Sequence, residues 1–266
     1  MNALNPEMSR AEYDSFEGCI NWSRIRLLEK SPAHYKYGYG EDSSGFALGT
    51  AVHSAILEPE KFAADFVIYP GKVRRGKEWE AFELEQTRAG KSILSAKEQR
   101  EAIGIRDAVH GNATARKYLT GGVAEFSMFW ELGTVPYTFQ CRGRGDYLSP
   151  LAIVDLKSTK DASPKAFANS CARYGYFGQA AWYSDGYERI TGKRLPYKII
   201  AVESSSPYVV QVYNVPEADL AKGREQYQTL LGKLDYCTKS GFWCGYSEQE
   251  EIDIEMPQWS GVEADT

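Results

Sequence analysis

The sequence of 266 residues lacks the features that would place it in several large classes of protein. No apolar run approaches the roughly 20 residues that a membrane-spanning helix needs. The first seven residues have neither the basic nor the apolar region of a signal peptide. No G-x-x-x-x-G-K-[ST] loop is present, so ATP is not expected as a cofactor. We therefore expect a cytoplasmic protein with no membrane partner and no use of ATP.

Cysteine is scarce and poorly spaced for a metal cluster. The chain has five cysteines and no C-x-x-C pair, and the closest two, Cys237 and Cys244, are separated by six residues. An odd number without such spacing favours reduced, packed thiols over disulfides or metal ligands.

An excess of positive charge is also lacking. The net charge of −5 argues against a surface made for unspecific nucleic-acid binding, although it does not exclude a locally basic channel. The 18 tyrosines and 6 tryptophans could stack on bases, but a core or an oligomer interface is the more common place for them.

The order of predicted elements indicates an α/β fold. Apolar spacing and capping residues predict helices over residues 22–28, 46–57 and 95–110, with a charged helical segment within 73–90. Strands are predicted at 123–130, 137–144 and 151–156, the first two joined by a turn at 133–136. A helix from Ser163-Pro164, interrupted at Tyr174-Gly175, continues to residue 190. Strands at 197–202 and 208–213 and a helix at 217–237 complete the order.

This order predicts one domain with a mixed central sheet and helices on both faces. We expect a single domain over residues 1–247, helical up to about 120 and sheet-bearing from about 121 to 240. Residues 248–266 are acidic with little periodicity and read as a C-terminal tail.

The chemistry is concentrated in a short stretch around Asp146 and the sequence Asp155-Leu156-Lys157. Strand alternation puts Asp155 and Lys157 on one face, and Asp146 can approach from the neighbouring strand. Two carboxylates and the carbonyl of Leu156 would form an oxygen-rich site for Mg²⁺ or Mn²⁺, and Lys157 could reach an attacking water or a phosphate. A simple salt bridge at a strand end is the alternative interpretation.

Further candidates surround these residues, each with a structural alternative. His53 could complete the metal site or be a satisfied core histidine, and Glu125 could face the same site. Arg142 and Arg144 could hold a phosphate or be solvated strand residues. Gln179 and Tyr183, four positions apart on one helix face, could hold a phosphate or a terminal base, or form the polar edge of a core helix.

Several segments together resemble the exonuclease-VIII-type, RecE-like nucleases, which form a RecB-like branch of the PD-(D/E)XK superfamily. The similar segments span about residues 20–215. They are residues 31–35 (Ser-Pro-Ala-His-Tyr), 49–53 (Gly-Thr-Ala-Val-His), 57–62 (Leu-Glu-Pro-Glu-Lys-Phe), 145–146 (Gly-Asp), 155–159 (Asp-Leu-Lys-Ser-Thr), 175–176 (Gly-Tyr), 179–183 (Gln-Ala-Ala-Trp-Tyr) and 185–186 (Asp-Gly).

The resemblance implies a restriction-endonuclease-like core and a metal-dependent DNA exonuclease. In the family pattern His53, Asp146 and Asp155 would bind the metal with the Leu156 carbonyl. Lys157 would orient or activate the water and stabilise the transition state. Gln179 and Tyr183 would organise the site and the DNA end. Some relatives hold an iron–sulfur cluster with four cysteines, but the cysteine spacing here does not supply that group, so no cluster is expected.

The resemblance also implies a biological setting. Such nucleases digest linear duplex DNA from the 5′ end, often as ring-like homo-oligomers. They are usually encoded by phages or prophages and act with a single-strand annealing protein in recombination. Two alternatives remain open: a nuclease-fold DNA-binding or recombination-scaffold protein without catalysis, and a single-strand nuclease or endonuclease of the same fold.

Overall fold

The computed structural model describes residues 2–38, 46–71, 73–134 and 137–246, together with residue 251 and residues 253–256. Eight strands are assigned within these ranges. They are β1 (Ala3–Asn5), β2 (Phe66–Ile68), β3 (Ser92–Leu94), β4 (Val123–Thr134), β5 (Tyr137–Leu148), β6 (Ile153–Thr159), β7 (Tyr197–Glu203) and β8 (Val210–Val215).

The described part of the chain also contains twelve helices. They are α1 (Arg10–Ser15), α2 (Trp22–Ile25), α3 (Leu27–Lys30), α4 (Pro32–Tyr37), α5 (Phe46–Leu57), α6 (Pro59–Asp65), α7 (Lys77–Arg88), α8 (Ala96–Gly111), α9 (Ala113–Tyr118), α10 (Pro164–Tyr174), α11 (Tyr176–Thr191) and α12 (Glu217–Ser240). Among them, no helix combines the length and the apolar character that crossing a membrane requires.

Six of the strands form one mixed sheet in the order β1-β4-β5-β6-β7-β8. Strands β6 and β7 are parallel, and the other neighbours are antiparallel. The parallel pair is joined by a crossover through α10 and α11, as parallel neighbours require. This is the predicted α/β architecture, with a mixed central sheet at its middle.

Apolar side chains cover both faces of the sheet. On one face the buried residues of α2, α11 and α12 pack against strand residues that include Trp130 and Ile153. On the other face α5 and α8 pack against Val154, Leu156 and Ile200. Since successive residues of β6 enter different clusters, this strand is buried on both sides, as its near-continuous apolar sequence predicts.

Local sequence explains where several helices begin and end. The Ser95 side chain accepts from the Glu98 backbone and the Glu98 side chain accepts from the Ser95 backbone, which completes the predicted capping box. Gly175 separates α10 from α11 with a left-handed φ of 70°, and a Cβ there would lie 2.6 Å from Nε of Arg26. Only glycine suits that junction. Ser163 lies at the predicted N-cap position but makes no side-chain capping bond.

The prediction was incomplete for the first 120 residues. The helix expected over 22–28 is divided into α2 and α3 at Arg26. The short elements β1, α1, α4, α6 and α9 were not predicted, and neither was the small parallel sheet of β2 and β3. A run of three to seven residues offers too few periods for a hydrophobic pattern to be visible. The turn expected at 133–136 lies partly outside the described residues, as does most of the tail expected at 248–266.

Candidate active site

Strands β5 and β6 separate where the predicted acidic residues lie. Their pairing ends at Tyr147 and Val154, one step before the same register would bring Asp146 opposite Asp155. Beyond that point the backbone N–H of Leu156 donates to Oδ2 of Asp146 at 2.7 Å. A side chain thus satisfies a donor that the strand ladder no longer pairs. This bond fixes the Asp146 carboxylate between the two diverging strands.

Asp155 and Lys157 form an ion pair on one face of β6, as strand alternation predicts. Nζ of Lys157 lies 2.5 Å from Oδ2 of Asp155, and the two side chains are 15% and 2% exposed. Oδ1 of Asp155 has no hydrogen-bond partner in the described part of the chain. Because a buried carboxylate oxygen without a donor or cation is costly, this oxygen is suited to receive a further positive group.

The electrostatics of the three residues are coupled. Burial raises the pKa of Asp146 and of Asp155 to about 6, although the charge of Lys157 opposes this shift for both. Burial alone would lower the pKa of Lys157, but the attraction of Asp155 and Asp146 raises it overall. Lys157 is therefore cationic at neutral pH, and any cation placed beside the two carboxylates would favour their charged form.

His53 approaches the same carboxylates from α5. Its Nδ1 lies 3.7 Å from Oδ1 of Asp146, and its side chain is only 28% exposed. Burial lowers the pKa of His53, and the charge of Lys157 lowers it further. Hydrogen bonding with the Leu156 backbone acts in the opposite direction. Neutral imidazole is the form that ligates metals, so the environment of His53 suits that role.

Glu125 is the residue of this site that the sequence located least well. It lies in β4 between residues that pair with Tyr147 and Gly145, which places it opposite Asp146. Its φ of 54° is left-handed, a conformation that a glutamate adopts only at an energetic cost. Oε2 of Glu125 accepts from Nε of Arg144 at 2.9 Å. Such local strain is common at functional sites.

One group of side chains in the described residues meets the geometry of a metal site. Ligand atoms of His53, Glu125 and Asp146 all lie within 4.8 Å of one another. An imidazole nitrogen and two carboxylates suit Mn²⁺, and Mg²⁺ is bound chiefly by carboxylates. Of the ligands expected from the sequence, the structure brings together His53 and Asp146 beside the Leu156 backbone. It also brings Glu125, the further candidate from the sequence, to this group, and it pairs Asp155 with Lys157.

The register of the hairpin formed by β4 and β5 decides the position of Glu125. The ladder of β4 and β5 continues to Thr134 opposite Tyr137, so only two residues separate the strands. Counting back equally from such a tight hairpin pairs position 125 with position 146. The turn predicted at 133–136 would instead pair position 125 with position 144, so the longer predicted turn misplaces Glu125 relative to Asp146.

The two arginines expected to hold a phosphate are directed elsewhere. Arg142 donates to the backbone carbonyls of Tyr13 and Phe16, and its guanidinium lies 4.7 Å from the centre of the Tyr13 ring. Arg144 is 9% exposed, and it donates to Glu125, to Ser127 and to the Met8 carbonyl. Both therefore attach the N-terminal segment to β5, and Arg144 also positions Glu125. The alternation of side chains along a strand puts Arg142 and Arg144 on one face, but it does not show whether they contact a phosphate or other parts of the protein.

Gln179 and Tyr183 share a helix face and interact through their side chains, but each also has contacts that the other lacks. The Tyr183 hydroxyl donates to the Arg144 carbonyl at 3.0 Å, and a Cβ at Gly143 would lie 2.8 Å from the Tyr183 ring. Burial raises the pKa of Tyr183. Tyr183 therefore packs against β5 at Gly143 and Arg144. Gln179 instead lines a surface groove that Trp22, Arg26 and Tyr176 also border.

Comparison with known proteins gives the family and the fold of this chain. Residues 11–255 match the family described as "PDDEXK-like domain of unknown function (DUF3799)". A search of curated proteins finds no match to the sequence. Among solved structures, a protein from Eubacterium rectale described as a "Putative exonuclease" has a TM-score of 0.63 at 16% identity, over 94% of this chain and 96% of that one.

A second solved structure is less similar. The alkaline exonuclease of Laribacter hongkongensis has a TM-score of 0.30 at 13% identity, over 88% of this chain and 98% of its own. The family match covers nearly the whole length of this chain, and the mixed sheet flanked by helices agrees with it. The chain belongs to the PDDEXK-like family DUF3799 and has the fold of the PD-(D/E)XK nuclease superfamily.

Proposed function

We propose that this protein is a metal-dependent DNA exonuclease that hydrolyses the phosphodiester bonds of linear double-stranded DNA. The observation that supports this most directly is one arrangement at the separation of β5 and β6. Asp146 meets His53 and Glu125 there, beside a buried Asp155–Lys157 pair. A protein that only bound DNA would have no need for this costly set of buried charges.

Each residue has a definite task in the proposed reaction. His53, Glu125 and Asp146 would hold a divalent cation, Mg²⁺ or Mn²⁺, with Asp155 and the Leu156 carbonyl as further ligands. When bound, the cation supplies positive charge to the phosphate and the leaving oxygen. Lys157 orients the attacking water and stabilises negative charge as it develops in the transition state. Water adds to phosphorus, the bond from phosphorus to the 3′ oxygen breaks, and that oxygen takes up a proton.

The finer assignment depends on the resemblance of the motifs to RecE-like nucleases. We include in the proposal a single nuclease domain over residues 1–247, degradation from 5′ to 3′ and assembly into a homo-oligomer. We also include a role in recombination of the phage type, in a bacterial cytoplasm and with a single-strand annealing protein. Neither iron–sulfur nor ATP chemistry forms part of this proposal.

The test compares linear duplex DNA with covalently closed circular DNA at equal nucleotide concentration in Mg²⁺. The wild type, Lys157→Ala and Lys222→Ala are assayed together, because Lys222 is an exposed lysine on α12 that lies outside the site. We expect the wild type and Lys222→Ala to digest only the linear DNA, and Lys157→Ala and EDTA-treated protein to digest neither. Separate 5′ and 3′ labels report the polarity.

Other outcomes would replace the proposal. Cleavage of the circular DNA would indicate an endonuclease, and digestion of single strands alone would indicate a single-strand nuclease. Metal-independent DNA binding without cleavage in either Mg²⁺ or Mn²⁺ would indicate a scaffold protein. Full activity of Lys157→Ala would refute the site itself.

A further inference from the structure

Two surface grooves meet at a pair of tyrosines next to the candidate site. The first, of about 550 Å³, lies between the end of β6 and α10. The second, of about 440 Å³, lies beside α2 and α3. The tyrosine pair of Tyr174 and Tyr176, which we call the ridge, therefore borders both grooves.

The pair is held in place by the junction between α10 and α11. The two rings stack with centroids 5.8 Å apart and planes inclined by 29°. The left-handed Gly175 between them lets both helices end and begin within one residue. Tyr174 nevertheless is 49% exposed. A large ring exposed to this extent on a fixed backbone offers a flat apolar surface to a ligand.

The ridge contacts the candidate active site through Tyr176 and Lys157. Nζ of Lys157 lies 4.9 Å from the centre of the Tyr176 ring, and Tyr176 stacks on Tyr174. A phosphate in contact with Lys157 would therefore have its neighbouring nucleotide beside these rings. Bases stack on aromatic side chains without regard to sequence, as an enzyme that degrades any DNA requires.

The groove beside α10 has the polarity that a nucleotide would need. Lys160 and Arg173 supply positive charge to it, and the guanidinium of Arg173 lies 5.8 Å from the Tyr174 ring centre. Asp161 adds one negative charge, so the two cations leave the lining with a net positive charge, and Ala166 and Phe167 add apolar surface. Hydroxyl and amide side chains also line the groove. They are those of Ser158, Thr159, Asn169, Ser170 and Ser204. In a chain of net charge −5, such local positive charge is what can attract a DNA backbone.

We infer that the groove between the end of β6 and α10 binds the DNA nucleotide next to the scissile phosphate, with its base stacked on Tyr174. This inference rests on the proposed function, because Lys157 is taken to mark the scissile phosphate. A base inside a duplex already has neighbours on both of its faces, so the base on Tyr174 is one with a free face, either at the end of the DNA or in an unpaired stretch.

Binding without cleavage isolates this contact. DNA affinity is measured by fluorescence anisotropy on Lys157→Ala in Mg²⁺ and repeated on wild type in EDTA, with a labelled duplex that has a short single-stranded end. In both backgrounds Tyr174→Ala should raise Kd by about 5- to 100-fold, which is the range expected for one stacked base. Tyr174→Phe, which keeps the ring, should stay within about twofold. Tyr236→Ala removes an exposed tyrosine of α12 and should have no effect.

Abasic sites introduced one at a time along the single-stranded end identify the partner of Tyr174. At one position the missing base should weaken binding when Tyr174 is present and have almost no effect in Tyr174→Ala. Equal Kd values with and without the Tyr174 ring, or additive losses at every position, would overturn the inference. The proposed nuclease function would survive that result if wild type still digests linear DNA, whereas absence of both binding and cleavage would refute both.

Discussion

Glu125 lies opposite Asp146 in the antiparallel pairing of β4 with β5, and it adopts a left-handed φ of 54° there. A strand residue with that φ does not take part in the regular pairing of the two strands. The pairing continues at the residues on either side of it. The carboxylate gains a position beside Asp146 and His53. The backbone of Glu125 therefore lowers the stability of the folded protein, a cost that is typical of residues placed for function.

That cost can be measured by comparing two replacements of Glu125. Alanine keeps the steric penalty of a left-handed backbone, and glycine removes it. We expect Glu125→Gly to be more stable than Glu125→Ala by about 1 kcal/mol, the reverse of the usual order in a strand interior. Urea denaturation of the two metal-free variants measures the difference. A more stable alanine variant would show that no strain is present at this position.

Lys157 should be needed both for cleavage and for the stability of the metal-free protein. Removing its ammonium leaves Asp155 buried and unpaired, which costs roughly 3 kcal/mol at pH 7. It also removes charge stabilisation from the transition state, so single-turnover cleavage should fall by at least about 100-fold. Lys222→Ala serves as the control for both measurements. The two effects separate at pH 5, where a protonated Asp155 should restore much of the stability of Lys157→Ala without its activity.

The fold was largely predictable because its long elements have clear periodicity. Helix α5, strands β4 to β8 and helix α12 all lie within a few residues of their predicted bounds. Short elements such as β1 and the β2–β3 pair were not predictable, because they form through contacts with distant parts of the chain. For β1 that contact is pairing with β4, far away in sequence, which no local pattern describes.

The candidate site was predictable only as far as each side chain's own strand decided its position. The Asp155–Lys157 pair follows from strand alternation within β6. The directions of Arg142 and Arg144 depend instead on the N-terminal segment, whose carbonyls accept from them. Because that segment folds onto β5 from more than 100 residues away, the sequence offered a phosphate site or solvated strand positions, and the structure has internal hydrogen bonds instead.

The two carboxylates should make the stability of the metal-free protein fall as pH rises. Their pKa of about 6 in the folded protein lies above the unfolded value of 3.8, so the folded state binds more protons between these values. The contribution of these two groups to stability should thus be greatest below about pH 4, and it should be lost as the pH rises from 4 through 6. Because other groups titrate as well, the wild type is compared with Asp155→Asn at each pH. The quantity that matters is the difference between their stabilities, which is measured by thermal denaturation in EDTA.

A bound cation should reverse that decline. At pH 7.5 Mg²⁺ or Mn²⁺ neutralises the repulsion among the carboxylates and binds only the folded state, so it should raise the Tm. At pH 5 protons compete with the cation, and the increase should be small. Asp146→Asn and Glu125→Gln should each weaken cation binding by at least about tenfold in calorimetric titration. An equal increase in Tm for wild type and both variants would show that the cation binds elsewhere.

Tyr183 and Gln179 should respond differently to substitution although they lie on one face of α11. Tyr183→Phe removes the hydrogen bond to the Arg144 carbonyl and should lower stability by about 1 kcal/mol, with kcat nearly unchanged because the ring still supports Gly143. Gln179→Ala removes a polar side chain from the groove beside α2, together with its hydrogen bond to Tyr183, and should raise the Kd for DNA by about tenfold with a loss of stability no larger than about 1 kcal/mol. Denaturation and anisotropy on both variants distinguish the two roles. A loss of DNA affinity in Tyr183→Phe would show that the Tyr183 hydroxyl contributes to DNA binding.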